Sequence, residues 1–348
     1  MTTRSRVRLK DIAMDLHLSV VTVSRALQNR RDISTETRER VLQRVRELNY
    51  KPNLAARTLA TGRTYSIGLV VPSFLHPFFA EVAKGIVDTI RPKGYGLLIA
   101  SSNDDVEMEK RETEHLLARQ VDALIVASVQ HSPEFMQGIQ ARGSACVLVD
   151  RMLPGLRANH VGADDSEIGR IATQHLADQG CRRIAHIRGP EISTATGRLE
   201  GYQSVLKELG MPIAHEMIAT AATADSGAEE CGRSAMLQLL SLRPRPDGVF
   251  VFNDGLAVGA MGAILSAGLR IPRDIALVGC GNVRWAHQLR VPLSSVDQGA
   301  IKIGELAGRM ALKLVVEKAS PSIRDSLVPA KLVVRESSVR TRAVPNRH

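Results

Sequence analysis

An α/β chain is predicted, with a small all-α head ahead of a larger body built on two blocks of parallel sheet. Three observations predict it. Residues 1–63 hold fourteen Lys/Arg against six Asp/Glu, so +8 of the net charge of +10 sits in less than a fifth of the 348 residues. Within that head, apolar residues recur at helical spacing. From Ser66 onward, short apolar runs alternate with longer amphipathic stretches, the pattern of parallel strands covered by helices on both faces. The length exceeds one ordinary core and implies two or three folding units. Aromatics make up only 3%, so those cores must be assembled from Ala, Val, Leu and Ile.

Several function classes are disfavoured at once. No apolar run approaches the roughly 20 residues that cross a bilayer, so no membrane partner is expected. The basic stretch Met1 to Lys10 leads into charged residues, which is not the form of a secretory signal. Cys146, Cys181, Cys231 and Cys280 are far apart, with no Cys-x-x-Cys pair. They read as reduced thiols in a cytoplasmic protein, with no metal. Gly279-Cys280-Gly281 is only a fragment of a dinucleotide fingerprint, and Cys280 has no evident base, so neither a cofactor nor an enzyme is expected.

The head is read in chain order. LKDIAMDL puts Leu9, Ile12, Ala13 and Leu16 on one helical face, and His17-Leu18 form a turn. The Ser19 hydroxyl is placed to cap the helix VVTVSRALQ. Val23 and Leu27 then point inward, leaving Val20, Val21, Thr22, Ser24 and Arg25 outside. Ser34 or Thr35 opens a third helix with the apolar stripe Val41, Val45 and Leu48. This spacing suits a helix-turn-helix whose second helix enters the major groove of double-stranded DNA by its N-terminal end. Ser19 and Thr22 suit phosphate or base-edge contacts, Arg25 suits a bidentate contact to guanine, and Val20 and Val21 suit thymine methyls. Pro52 then stops the helix, and Asn53 is placed to cap LAARTLATG, a stretch too short to be a stable helix alone.

DIAMDLHLSVVTVSRAL and ISTETRERVLQRVRELNYKPN resemble the DNA-binding head of the lactose-repressor and purine-repressor (LacI) family. Thr22-Val23-Ser24-Arg25 and the run Asn49 to Asn53 carry the signature, and the match continues to near the end of the chain. One departure is His17, where the family usually has Gly; the turn then requires a non-Gly residue in the left-handed region. The resemblance implies a sequence-specific regulator, a repressor by expectation, that binds a pseudo-palindromic operator as a homodimer and answers to a small metabolite. It implies a hinge helix that folds on DNA, with Leu59 wedged into the minor groove, Ala56 packed beside it and Arg57 on phosphate. The division expected is 1–52 for the helix-turn-helix domain, 53–65 for the hinge and 66–340 for the effector-binding and dimerisation body. Residues 341–348 form a basic tail with no leucine heptads, which favours the dimer over a tetramer.

In the body, strands are expected at Ile67–Val71, Leu97–Ala100, Ala123–Ala127, Cys146–Val149, Ile184–Ile187, Val249–Phe252 and Ile275–Val278. Helices are expected at Phe79–Arg91, Met108–Arg119, Ile168–Asp178, Gly201–Leu209, Gly227–Leu239 and Leu256–Ser266. The blocks divide near Ala163. The resemblance implies a two-lobed, periplasmic-binding-protein-like body with crossovers near Ala163 and Pro292 and a third near Asp325.

Ligands of open parallel sheets bind beyond the carboxyl ends of the strands. His76-Pro77-Phe78-Phe79 follows the first strand, Asp150-Arg151 the fourth, and Asn253-Asp254 ends VFVF. The resemblance adds Arg198, in GRLEGY, and Asp164. Phe78, Asp150, Asp164, Arg198, Asn253 and Asp254 are therefore the candidate effector residues. Carboxylates, an amide and an Arg fork suit the hydroxyls of a sugar or polyol, or an anionic substituent on one. Gly279-Cys280-Gly281 replaces a Gly-aromatic-Asp common in the family, and Ala221-Ala222-Thr223 lacks a stacking aromatic. Trp285 is open to either a stacking or a packing role. A transporter's solute-binding protein is the competing class; the basic head argues against it.

Overall fold

The structure, a computed structural model, describes residues 7–27, 30, 32–50, 58, 61–223, 227–317 and 323–340. Two compact units divide at Thr64 and Tyr65, one residue from the expected start of the body.

The head contains α1 (Leu9–Asp15), α2 (Val20–Leu27) and α3 (Thr35–Glu47). Its small core is Ile12, Ala13, Val23, Ala26 and Val41, with Leu9, Leu16, Leu27, Val45 and Leu48 packed around it. The turn between α1 and α2 does pass through the left-handed region at His17, with φ 53°. Ser34 caps α3, its hydroxyl accepting from the Thr37 N–H at 3.2 Å.

In the body, the first lobe runs β1 (Ser66–Val71), α4 (Pro77–Ile90), β2 (Gly96–Ser101), α5 (Val106–Ala118), β3 (Ala123–Val126), α6 (Glu134–Ala141), β4 (Cys146–Val149) and β5 (Asn159–Ala163). The second runs α7 (Asp165–Asp178), β6 (Ile184–Arg188), α8 (Ser193–Glu208), β7 (Ile218–Thr220), α9 (Ala228–Ser241), β8 (Gly248–Val251), α10 (Asp254–Ser266), β9 (Ala276–Cys280) and β10 (Ser294–Asp297). The chain returns for α11 (Ala300–Glu317) and β11 (Asp325–Val328), then crosses again to β12 (Lys331–Val333). One sheet is ordered β11-β5-β4-β3-β1-β2 and the other β12-β10-β9-β8-β6-β7. Every pairing is parallel except that of β10 with β12.

The apolar runs ALIV, CVLV and GVFV are buried along their whole length because helices cover both faces. The second crossing falls later than expected, after Asp297 and not Pro292, while the third follows Val328, near the expected Asp325. The cause is β10, whose sequence SSVD reads as a loop. Ser294 and Ser295 are fully buried, their hydroxyls donating to Arg335 O and the Asp254 carboxylate. Helix α8 begins at Ser193, eight residues before the expected Gly201. Its first turns, STATG, are weak helix formers held by the burial of Thr194 and Ala195.

Three helix pairs approach closely through facing glycines. A Cβ on Gly85 of α4 would lie 2.1 Å from Ile301 O of α11, and one on Gly304 of α11 would lie 2.1 Å from Val82 O. Gly169 and Gly201 stand in the same relation between α7 and α8, at 2.1 Å from Arg198 O and 1.9 Å from Ser166 O. Gly232 and Gly259 repeat it between α9 and α10, at 2.0 Å from Leu256 O and 1.7 Å from Glu229 O.

Candidate functional site

In the head, the start of α2 presents the expected side chains. The Ser19 hydroxyl accepts from the Thr22 N–H at 3.0 Å and lies 2.8 Å from the Thr22 hydroxyl. Val20 and Val21 remain 45% and 59% exposed, large apolar surfaces that intramolecular packing leaves uncovered. Ser24 is half-buried and Arg25 exposed on the same helix. Sequence reasoning missed the partner of Arg25: its guanidinium donates to Asp32 at 2.9 Å. Both groups are about half exposed, so the pair is weak and exchangeable. Asn53, Ala56, Arg57 and Leu59 lie outside the described residues.

In the body, Arg198 is the hub. Its side chain is 3% exposed and donates to Asp165 at 2.9 Å, to Phe252 O at 2.6 Å and to Gln298 at 2.8 Å. It also lies over the Phe252 ring, 4.3 Å from the centroid. Asp165 follows the first interlobe crossover and Gln298 sits at the second, so one guanidinium ties both. Burial raises the Asp165 carboxyl well above the carboxylate range, while Arg198 opposes that rise. Asp150 and Asp164 lie near enough to raise it further.

The other expected residues are placed around this hub. Asp164 caps α7, accepting from the Glu167 N–H at 3.0 Å. Asn253 caps α10, accepting from the Leu256 N–H at 2.9 Å, and its amide lies 3.2 Å from His76 of the other lobe. Asp254 is buried; its oxygens accept from the Ser295 hydroxyl at 2.7 Å and the Val283 N–H at 2.9 Å. Burial pushes its carboxyl up to about 6, against those hydrogen bonds. Phe78 is buried edge-on to Phe79, their centroids 5.2 Å apart. Trp285 is 37% exposed.

A cavity of about 550 Å³ opens between the lobes, one residue along from Asp150 and Arg198. The first lobe contributes Ser128, Gln130 and Arg151, and the second contributes Arg188, Ser193 and Thr196. None of the six expected effector residues lines it. Ser128 is held from behind by the buried Glu109, which accepts from its hydroxyl at 2.8 Å and from the Val129 N–H at 2.5 Å. The signal that would have found Arg188 is simple: an arginine closes the apolar strand IAHIR at its carboxyl end. Further contacts bridge the lobes, from Arg284 to Glu81 at 3.2 Å and from the Met152 N–H to Ser193 Oγ at 2.9 Å.

Comparison with known proteins finds matches in both units. The model of "bacterial regulatory proteins, lacI family" matches residues 8–53, and that of a "periplasmic binding protein-like domain" matches residues 173–338. A ribose operon repressor from Halalkalibacterium halodurans is 32% identical over 332 residues, covering 95% of this chain and 96% of that relative. The HTH-type transcriptional repressor PurR of Pasteurella multocida is 30% identical over 331 residues, covering 94% and 98%. Among solved structures, the lac repressor dimer bound to operator and the anti-inducer ONPF superposes with TM-score 0.83 at 26% identity, covering 97% of this chain and 100% of that one. A complex of the regulator CelR with cellobiose superposes with TM-score 0.71 at 28% identity, covering 95% and 100%.

Proposed function

The chain belongs to the LacI family of bacterial regulatory proteins, and on that premise we propose that it is a dimeric transcriptional repressor of a metabolite-controlled operon. The observation that carries the reading is the start of α2. A capping Ser19, two exposed valines and a weakly paired Arg25 stand together on the most basic part of the chain. Ser19, Thr22 and Ser24 take phosphates or base edges, Val20 and Val21 take thymine methyls, and Arg25 exchanges Asp32 for a guanine edge. Asn53, Ala56, Arg57 and Leu59 form the hinge that enters the minor groove. Residues 1–52 read DNA, 53–65 couple, 66–340 bind effector and partner protomer, and 341–348 are a basic tail.

A sugar or sugar derivative is the effector. Support comes from the ribose operon repressor among the relatives and the cellobiose complex among the structural neighbours. The effector engages the interlobe cleft around Phe78, Asp150, Asp164, Arg198, Asn253 and Asp254. It acts by changing contacts such as His76–Asn253, with a coupling of about 1–3 kcal/mol. The relatives are repressors, and this chain is proposed to have no catalytic step. No helix among the described residues is long and apolar enough to cross a membrane; the proposed location is the bacterial cytoplasm, on the nucleoid.

Duplex titrations of the purified full chain at about 50 and about 200 mM salt test the reading. The expected result is a steep loss of affinity with salt, a residual preference for one pseudo-palindrome and a change in that preference when sugars are added. A protein that never prefers any duplex over random competitor, with or without sugars, ends the proposal.

A further inference from the structure

Arg188 is the least explained charge in the body. It ends β6 with its Nε buried and making no hydrogen bond, and it forms no ion pair with any described residue. The cavity that it lines also receives Arg151 from the opposite lobe, its side chain 6% exposed and 3.7 Å from Asp150. Two guanidinium groups thus face one half-open cavity, and Asp150 lies within ion-pair reach of Arg151. The acids on the lining, Glu191 and Glu200, are solvent-exposed.

The rest of the wall fits the same charge. Helix α8, of 16 residues, begins here with Ile192 at its N-cap and no side-chain cap hydrogen bond. Its first-turn N–H groups and positive dipole end are therefore left to whatever sits at that end. Ser193 adds a hydroxyl that accepts from the Met152 N–H and keeps its own proton to donate. A neutral polyol would leave the Arg188 charge without a counter-ion in a partly desolvated site, which is costly. A phosphate monoester accepts from several donors at once, and arginine forks match its geometry.

We propose that the effector is a phosphorylated sugar, its phosphate held between Arg188 of the second lobe and Arg151 of the first at the start of α8. The inference rests on the sugar reading above and deepens it. Because the two arginines come from different lobes, the phosphate draws the lobes together, giving the ligand a differential hold on the closed body.

The test is calorimetric titration of the full chain with paired probes: ribose against ribose 5-phosphate, and glucose against glucose 6-phosphate. One phosphate ester is expected to bind at least about tenfold more tightly than its neutral parent. Arg188→Ala is expected to bring that ratio close to one, and Arg188→Lys, which keeps charge but not the fork, to leave part of it. Circular dichroism confirms that each variant is folded, and the lysine variant keeps the test readable if the alanine variant is not. A neutral sugar binding as tightly as its ester overturns the phosphate inference and leaves the sugar reading standing. So does a ratio that survives in a folded Arg188→Ala protein. Failure of all four probes overturns both.

Discussion

In the head, the side chains expected to read DNA are fixed by near neighbours in sequence. Ser19 caps Thr22 three residues on, and Arg25 finds Asp32 seven residues on. In the body, Arg198 spans to Gln298, Asp254 to Ser295, and His76 to Asn253, separations of 100, 41 and 177 residues. Head residues stay exposed with exchangeable partners, whereas Arg198, Asn253 and Asp254 of the body are buried with their partners inside the fold. A site built locally is altered one residue at a time; a site built from distant strands is altered only together with the scaffold.

Arg198→Ala offers the strongest way to break this comparison. It removes the guanidinium beside a buried Asp165 and unties Phe252 O and Gln298. Loss of one partner from a buried pair is expected to cost the body about 3–5 kcal/mol in urea denaturation. A stability within error of the parent would show that the hub is not welded into the fold.

Asp254 offers a pH reading of the same weld. Its carboxyl goes from an ordinary 3.8 to about 6 because burial disfavours the charge. The folded state therefore holds the proton more firmly than the unfolded one. That contribution is complete below the unfolded value and is lost as pH rises through about 6. Stability attributable to Asp254 should fall between about pH 4 and about pH 6, by on the order of 3 kcal/mol. Denaturation across that range should show a shallower descent in Asp254→Asn, whose amide oxygen can still accept from the Val283 N–H. An unaltered profile would assign the descent to other groups.

Arg25→Ala probes the head. Discrimination between operator variants should drop by about 1–3 kcal/mol, with body melting unchanged. Retained discrimination in competition binding would remove Arg25 from base reading. The smallest effect is expected at His17→Gly. Relief of the left-handed strain at φ 53° and the greater freedom of unfolded glycine nearly cancel, leaving a stability change below about 1 kcal/mol. A larger gain in thermal melting would mean that His17 strains the turn more than the balance allows.

The same contrast decides what could be read from the sequence. The caps, the turn at His17, the outward valines and the apolar strands are local patterns, and they stand where periodicity and capping rules put them. Strand β10 and the first turns of α8 escaped because buried serines and threonines look like a loop until their partners arrive from elsewhere in the chain. None of the six expected effector residues lines the cavity, although Arg151 on its wall is among the strand-end residues that the sequence marks as suited to a polar ligand. Gly197 adjoins the expected Arg198, yet which face a neighbouring residue presents is settled by tertiary packing.

The facing glycines carry a consequence for how this chain can vary. At each of the three helix contacts both members already have no side chain, so neither can shrink to accommodate growth in the other. A methyl added at Gly201 meets the backbone oxygen of Ser166, which no substitution removes. Suppressors of such a change must displace an entire helix, and for α8 that displacement carries Arg198 and the rim of the cavity with it. Sequence drift at these six positions is thereby tied to the geometry of the binding cleft, although none of the six glycines lines the cavity.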